Sequence, residues 1–555
     1  MVPTLGRPAF VEPGGALNII AQVGEADGPT TFALLERGFP PHRHELTAPE
    51  DARERLRTGQ PVRLDVPANV PEQTYDLAVE CGAVQLVGRH CVAVGKVGPR
   101  VRLVHLSNMN VGELGAPDFD WRLVEEVNLV SPTLLVVTGD LLDATHEGPE
   151  RGWERAVEFL SRFDAPTLVA CGDHDDLTLY SRFLAPSPVG SVSVGGLRGV
   201  VLFDSPSHPI AEDTDQAAWL ERTLAVPGDE RTTFIVSHDE APNLLDVWER
   251  RGVLAAMVKA SRLGLWFAGG HHDWDGVEYA RLVGAAAPLL YLRTQQSSPA
   301  TRDGAEGVSH YRVVDVMEGR AWLPGRAVRP DGPVASIAAG RLHVFLHDAN
   351  DGTQDRVAFT AINNHPFRLD GLNVRIVLRR GDDAAPWCLG AALAQVADHG
   401  AYRVCRVRFD LPDKGALRAV VGCGPKPAMP DVEVAIDTPS TLRLRREVTE
   451  EGLAYLTASD AFALVNLRNR GTEPATVTPL IRLDGESLGY TVLEEPGPAA
   501  IAYRLRLGAG QVVTLQADLS AIRVGVGRQD LQVYLRGGPA WRAVCQPVDV
   551  VVQSR

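Results

Sequence analysis

The chain has 555 residues, with 55 Lys and Arg against 70 Asp and Glu, and a formal net charge of −15 at pH 7. That balance excludes a general nucleic-acid or acidic-membrane surface, which needs clustered cations, and no apolar run approaches the roughly 20 residues that span a bilayer. With 45% apolar and 23% charged residues the chain reads as globular, and at ~150 residues per domain it predicts three to four domains.

The first ten residues, MVPTLGRPAF, lack a basic start followed by a long apolar core, so a cytoplasmic location is expected. Residues 1–97 read as all-β. Short, partly alternating runs such as NIIAQV, TTFALLE, PVRLDVP, TYDLAVEC and HCVAVGKV are separated by Gly and Pro clusters, which predicts a β-sandwich. His42 and His44 in PHRHE are read as part of an exposed polar turn. Seven cysteines are an odd number, and none has CxxC spacing. Cys81 and Cys91 flank a predicted hairpin and are placed to face each other, but buried thiols are the favoured reading.

From about residue 98 the rhythm changes, and apolar runs alternate with helix-like segments to about 325. In ERGWERAVEFLSRF, Trp153, Ala156, Val157 and Leu160 fall at the i, i+3, i+4, i+7 spacing of one helical face. DQAAWLERTLA reads as a second amphipathic helix. The alternation predicts a layered α/β domain over 98–325. A linker follows, GRAWLPGRAVRPDGP, and then β-rich sequence containing an internal repeat. VAFTAINNHPFRLDGLNVRIVL (357–378) parallels FALVNLRNRGTEPATVTPLIRL (462–483), with Asn364 matched to Asn469. Two immunoglobulin-like sandwiches, 334–445 and 446–555, are the simplest account. The fold class expected is multidomain α/β plus all-β.

The chemistry lies between Val101 and Asp273. Five motifs each follow an apolar strand-like run: VRLVHLSNMNVG with Asn108 and Asn110; LLVVTGDLLD with Asp140 and Asp143; TLVACGDHD with Asp173, His174 and Asp175; TTFIVSHDE with His238; and LGLWFAGGHHDW with His271 and His272. Loops past strand C-termini bring side chains to one sheet edge. Acids and imidazoles collected there suit a divalent metal, Mn, Fe, Zn or Mg. Hydrolysis of a phosphate ester near neutral pH needs such charge neutralisation, commonly from two ions about 3.5–4 Å apart.

The order of these motifs resembles the calcineurin-like metallophosphoesterases, whose pattern is DxH, GDxxD, GNH followed by an acid, a lone His, and GHxH. The resemblance covers roughly 100–275 and implies a central four-layer α/β fold. Asp140, His174 and His238 match the pattern directly. Asn108 and Asn110 stand where the family has Asp and His, and Asp173 stands where it has Asn. Aligned without a gap, Gly270 replaces the first His of GHxH and His272 is the second. With one glycine inserted, His271 is the first and Asp273 replaces the second.

Sorted by ion, the resemblance implies one firm cation site from Asp140, Asp173, His238 and His271. The other would use Asn108, Asn110, Asp140 and His272 or Asp273. It is weak, because a neutral amide oxygen substitutes poorly for a carboxylate or an imidazole. Asp143 and Asp175 are expected to accept hydrogen bonds that orient the ligands, His174 to assist the leaving group, and Asp204 to be a turn residue. Two functions are carried forward. One is hydrolysis of a phosphate mono- or diester, with a small phosphate ester as partner. The other is a catalytically inactive scaffold or ligand-binding protein, with an unknown protein ligand.

Overall fold

The computed structural model describes residues 1–23, 28–37, 42–112, 118–143, 149–204, 210, 214–226, 232–239, 245, 248–270, 276–280, 289–299, 307–323, 336–381, 385–448, 454–458, 461–494, 497–520 and 524–553. The chain divides into two compact units, one built from Met1–Leu323 with Pro333–Gly340 and the other from Pro324–Gly332 with Arg341–Arg555. Strands predominate in both, and no helix among the described residues is long and apolar enough to cross a membrane.

The first unit begins with strands β1 (Ala9–Val11), β2 (Ala16–Ile19), β3 (Thr30–Glu36), β4 (Arg43–Glu45), β5 (Val62–Asp65), β6 (Gln73–Cys81) and β7 (Val84–Val94). They form a five-stranded sheet, β1-β7-β6-β3-β4, and a β2-β5 pair. Leu17, Leu64, Phe32, Leu34, Leu77 and Val79 from both share one core. The all-β expectation is corrected by helix α1, Ala52–Thr58. Its signals are in the sequence: Ala52 and Leu56 at i, i+4 are its buried residues, and Gly59 ends it at φ 68°. His42 and His44 are not in a turn together. His44 lies in the short edge strand β4 and its Nε2 is 3.0 Å from Glu36 Oε1. Cys81 and Cys91 do not face each other, since Cys81 pairs with Val84 across the tight turn. All seven cysteines are free thiols.

Two sheets follow. One contains β8 (Arg100–Leu106), β9 (Leu134–Val137), β10 (Thr167–Val169), β17 (His310–Met317) and β18 (Arg320–Trp322), in the order β10-β9-β8-β17-β18, with β19 (Ile337–Ala338) on β17. The other contains β11 (Gly190–Val194), β12 (Leu197–Val201), β13 (Thr232–Ser237), β14 (Leu263–Ala268), β15 (Gly276–Ala280) and β16 (Leu289–Arg293), in the order β11-β12-β13-β14-β16-β15. β8, β9 and β10 are mutually parallel, as are β12, β13, β14 and β16. Every residue of β9, β12 and β13 is buried, which is why these runs show no polar alternation; the polar residues among them, such as Arg198 and Thr233, are buried too. Val101, Leu103, Leu134 and Val136 of the first sheet and Val201, Phe234, Val236 and Phe267 of the second share one core. Alternate residues Val200, Ile235 and Trp266 cluster instead with Leu220 and Leu224 of helix α5 (Thr214–Ala225) and Met257 and Val258 of helix α6 (Leu254–Ser261).

Helices α2 (Trp121–Val130) and α3 (Pro149–Leu160) connect the parallel strands of the first sheet, and α4 (Leu177–Phe183) leads from β10 to β11 of the second. The predicted stripe of α3 is buried, Trp153, Ala156, Val157 and Leu160 included. Arg102 and Asp315, on adjacent strands, form a buried ion pair at 2.8 Å.

The second unit holds four sheets: β20 (Leu342–Leu346), β21 (Arg356–Asn363), β26 (Ala416–Gly422), β23 (Trp387–Leu389); β22 (Leu369–Arg379), β25 (Tyr402–Leu411), β24 (Ala392–His399); β27 (Val432–Asp437), β30 (Phe462–Asn469), β35 (Val512–Asp518), β33 (Tyr490–Val492); and a seven-stranded sheet centred on β28 (Thr441–Val448), β37 (Ala543–Val552), β36 (Gly527–Arg536) and β31 (Ala475–Leu483). The internal repeat is real but shifted by one residue. Asn363 and Asn469 do the same job, whereas Asn364 is exposed. Asn363 Nδ2 donates to the carbonyls of Phe367 and Pro412, both at 2.8 Å, and its Oδ1 accepts from His365 N–H at 3.0 Å. Asn469 Nδ2 donates to the carbonyls of Glu473 at 2.8 Å and Leu507 at 3.1 Å, and its Oδ1 accepts from Gly471 N–H at 3.0 Å.

Candidate metal centre

The five motifs are divided between the two central sheets. β8, β9 and β10 supply the first three, and β13 and β14 the last two. Their C-terminal loops meet at one place. The loop after β9 reverses sharply: Gly139 has φ 91° and Asp140 φ 52°, a left-handed conformation that Asp tolerates better than most residues. That turn aims a carboxylate, 1% exposed as a residue, across the sheet edge. Gly172, after β10, passes so close that a Cβ there would be driven into the Asp140 carboxylate and backbone nitrogen.

Asp175 fastens these two loops together. Its carboxylate accepts N–H groups from Asp140 and Leu141, both at 3.0 Å, and from Gly172 at 2.9 Å. Burial pushes its carboxyl up to about 6, and the Asp140 charge adds to that against the backbone donors. Asp140 Oδ1 in turn accepts from His174 N–H at 3.1 Å.

His238, after β13, is 1% exposed. Its Nδ1 donates to the Thr138 carbonyl at 2.7 Å, which leaves Nε2 facing the acids. Nε2 lies 2.9 Å from Asp173 Oδ1 and 3.4 Å from Asp140 Oδ2. Burial, the largest influence on the ring, favours its neutral form. The bond to Asp173 and the charge of Asp140 outweigh it and push the imidazole up to about 9. The same bond to His238 holds Asp173 down at about 2. Ligand atoms of Asp140, Asp173 and His174 also lie within 4.8 Å of one another. Asp140 and Asp173 thus group with His174, while His238 approaches each of the two acids in turn. The His174 ring, partly exposed, has Nδ1 3.5 Å from Asp143 Oδ1.

Asn108 and Asn110 adopt left-handed φ values of 46° and 42°. The loop is tied to Asp140, whose carbonyl accepts the N–H groups of Met109 and Asn110, both at 2.9 Å. Asn108 Oδ1 accepts from Ser107 Oγ at 3.3 Å and from Gly270 N–H at 3.4 Å. Because a backbone N–H can only donate, that oxygen is engaged and cannot turn to a cation without breaking the contact. Asn110 Oδ1, by contrast, is buried with no hydrogen-bond donor among the described residues. Asp204 is buried and accepts Ile210 N–H at 2.8 Å. His271, His272 and Asp273 lie outside the described residues.

Some contributors have no motif signal. The Thr138 carbonyl sets the tautomer of His238. Thr138 Oγ1 also meets buried His105 Nε2 at 3.1 Å, and Thr294 Oγ1 donates to the other nitrogen of that ring at 2.7 Å. Gly269 leaves space that a Cβ would take from Thr138 Oγ1 at 2.8 Å and Ser107 Oγ at 2.9 Å. Only the Thr-Gly-Asp triplet hinted at the first of these.

The donor set fits a divalent cation. The carboxylates of Asp140 and Asp173 and the imidazole of His174 come close enough to share one ion, with His238 beside the two acids. Carboxylate and imidazole donors together suit Mn, Fe, Zn or Mg without selecting among them.

No protein-family model matches the chain, and no curated protein matches it. Among solved structures it is similar to a purple acid phosphatase from yellow lupin (Lupinus luteus) seeds, at 10% identity over 63% of this chain and 69% of that one, TM-score 0.33. It is also similar to GAP50, the anchor in the inner membrane complex of Plasmodium, at 9% identity over 43% of this chain and 88% of that one, TM-score 0.30. A family 39 glycoside hydrolase from Bacteroides cellulosilyticus WH2 aligns at 10% identity over 75% of this chain and 99% of that one, TM-score 0.17. At these scores the likenesses are faint and say nothing of chemistry.

Proposed function

We propose that the first unit carries a metal-dependent phosphoesterase centre of the calcineurin-like kind, with one firm cation held by Asp140, Asp173 and His238. The observation that carries this is the convergence of His238 Nε2 on Asp173 at 2.9 Å and on Asp140 at 3.4 Å, from three separate strand ends. In this reading the two central sheets and their helices form the four-layer α/β core of 98–325. Residues 1–97 are a β-sandwich, and 334–445 and 446–555 are immunoglobulin-like modules. The expected ligand is a small phosphate mono- or diester.

A bound divalent ion supplies Lewis acidity toward a phosphoryl oxygen and acidifies water. The protein does the rest. Asp140 and Asp173 bring the negative charge that holds the ion, and Thr138 keeps His238 Nε2 directed at it. His174, beside Asp143, is placed to give a proton to the departing alkoxide oxygen. Asp175 keeps the two acidic loops in register. His271 and His272 are candidates to complete the coordination sphere, and Asn110 offers an amide oxygen.

A second reading, a catalytically silent scaffold or ligand binder, is favoured by one observation: the Asn108 oxygen is already taken by Gly270 N–H and Ser107 Oγ, so a second ion finds one ligand fewer. Metal content and turnover separate the two. Purified full chain is assayed for bound metal and for hydrolysis of a chromogenic phosphomonoester and phosphodiester with Mn2+, Zn2+, Fe2+ or Mg2+. Metal-dependent turnover abolished by Asp140→Ala supports the hydrolase. About one tight metal per chain without turnover supports the binder, and no metal uptake at all rejects both forms of the centre.

A further inference from the structure

Away from the metal centre, the first unit contains an open cleft of about 860 Å3. Its walls come from different parts of the unit. Arg37 follows β3 and Arg89 belongs to β7; Arg151, Arg155 and Arg162 come from α3 and the turn after it, and Arg182 from α4. Against these six arginines stand two acidic side chains, Glu154 and Glu158. In a chain of net charge −15 this is a local reversal of sign.

The reversal is built by helix periodicity. Arg151, Arg155, Glu158 and Arg162 recur at i, i+4, i+7 and i+11, on the side of α3 away from buried Trp153, Ala156 and Leu160. Four of the arginines are held in place. Arg37 reaches Asp76 at 3.3 Å and donates to the Ser161 carbonyl at 3.1 Å. Arg155 pairs with Asp118, Arg162 with Glu158 at 3.2 Å, and Arg182 with Glu150 at 2.7 Å. The other two, Arg89 and Arg151, are exposed; Arg89 feels the charge of Asp76, the acid that Arg37 already holds. Arg89 belongs to β7 and Arg151 to α3. The Arg182 guanidinium lies 5.1 Å from the Phe183 ring centroid, giving the cleft an aromatic surface as well.

We propose that this cleft binds a small polyanion carrying two or more phosphoryl or sulfuryl groups, gripped by Arg89 of β7 and Arg151 of α3. Guanidinium forks match such oxyanions in geometry, and uncommitted arginines at the mouth of a cleft are available to do so without first breaking a salt bridge. A volume of this size suits a small molecule. The proposal is independent of the metal centre, because none of its residues is a candidate ligand there.

The test is calorimetric titration of the full chain with inorganic tripolyphosphate and with ATP, in low salt with EDTA throughout so that no ion bridges ligand and acids. Saturable binding at one site per chain is expected, weakening as salt is added. Arg89→Ala and Arg151→Ala should each weaken it about tenfold, and the double variant more, at unchanged Tm. Failure of both ligands to bind at millimolar concentration overturns the proposal, as does equal binding by the double variant. Orthophosphate binding as tightly as tripolyphosphate, or an acidic peptide binding more tightly than either, overturns the assignment to a small polyanion.

Discussion

Nε2 of His238, just past β13, lies 3.4 Å from Oδ2 of Asp140, just past β9 in the other central sheet. The two sheets are thus joined through their acid and imidazole at the C-terminal edge as well as through the shared apolar core. His238→Ala leaves two carboxylates facing each other without a counter-group. A loss of roughly 3 kcal/mol is expected, read from urea unfolding of the first unit. Mn2+ or Zn2+ should raise the Tm of the parent chain and not of the variant. An unchanged midpoint together with undiminished metal uptake would remove His238 from the centre.

His174 is expected to behave differently. Its ring is partly exposed and its role is placed at the leaving oxygen. His174→Ala should keep most of the bound metal while turnover falls about 100-fold. If metal content falls in step with turnover, the ring belongs among the ligands, where its position close to Asp140 and Asp173 also puts it.

Gly172→Ala tests the crowding of the two acidic loops. The added methyl cannot be accommodated without moving the Asp140 carboxylate. A cost of about 3 kcal/mol and loss of tight metal binding are expected together. Retention of both in the variant would show that the loops have more room than their separation allows.

Acid sensitivity should come partly from His90, which is fully buried where β7 meets the segment before β10. Its Nε2 lies 2.9 Å from the Ala165 carbonyl. Burial, only partly offset by that bond, pushes the imidazole from 6.5 down to about 4. Between those values the unfolded chain takes up a proton and the folded chain does not. Stability should therefore fall as pH drops from about 6.5 toward 4, by roughly 3 kcal/mol, and be flat in this respect above 6.5. His90→Gln should remove that slope from unfolding midpoints measured across the range. An identical slope in the variant would place the acid sensitivity elsewhere.

In the second unit, Asn363→Ala and Asn469→Ala should each cost about 2–3 kcal/mol, since each strands buried backbone carbonyls and an N–H. Asn364→Ala should stay within about 0.5 kcal/mol. Denaturant midpoints of the three variants decide whether the repeat is anchored where the hydrogen bonds place it.

Much of the first unit was legible because its strands are long apolar runs and its helices carry a clean stripe, as in α3. Helix α1 was hidden by its charge: only Ala52 and Leu56 are buried in it, too few to stand out among Arg and Glu. That the loops carrying Asp140, Asp173 and His238 lie past strand ends was legible from the apolar runs, and their grouping came from the resemblance; the division of the motifs between two sheets was not legible, since parallel strands of either sheet read alike. Asp175 was expected to orient ligands. What no local pattern reveals is that its carboxylate collects four backbone N–H groups from two loops. The one-residue slip between Asn363 and Asn364 has a similar cause: they are adjacent identical residues at the end of β21, and only long-range partners such as the Pro412 carbonyl distinguish them.

Because the acidic loops are tied to each other by Asp175 and the backbone, the cradle does not depend on its cargo for its shape. A chelator should strip the ion and leave the scaffold standing, ready to reload without refolding. Apo and loaded protein would then share one fold, so that a chelator-treated chain and its parent unfold by the same route and differ only in the contribution of the ion.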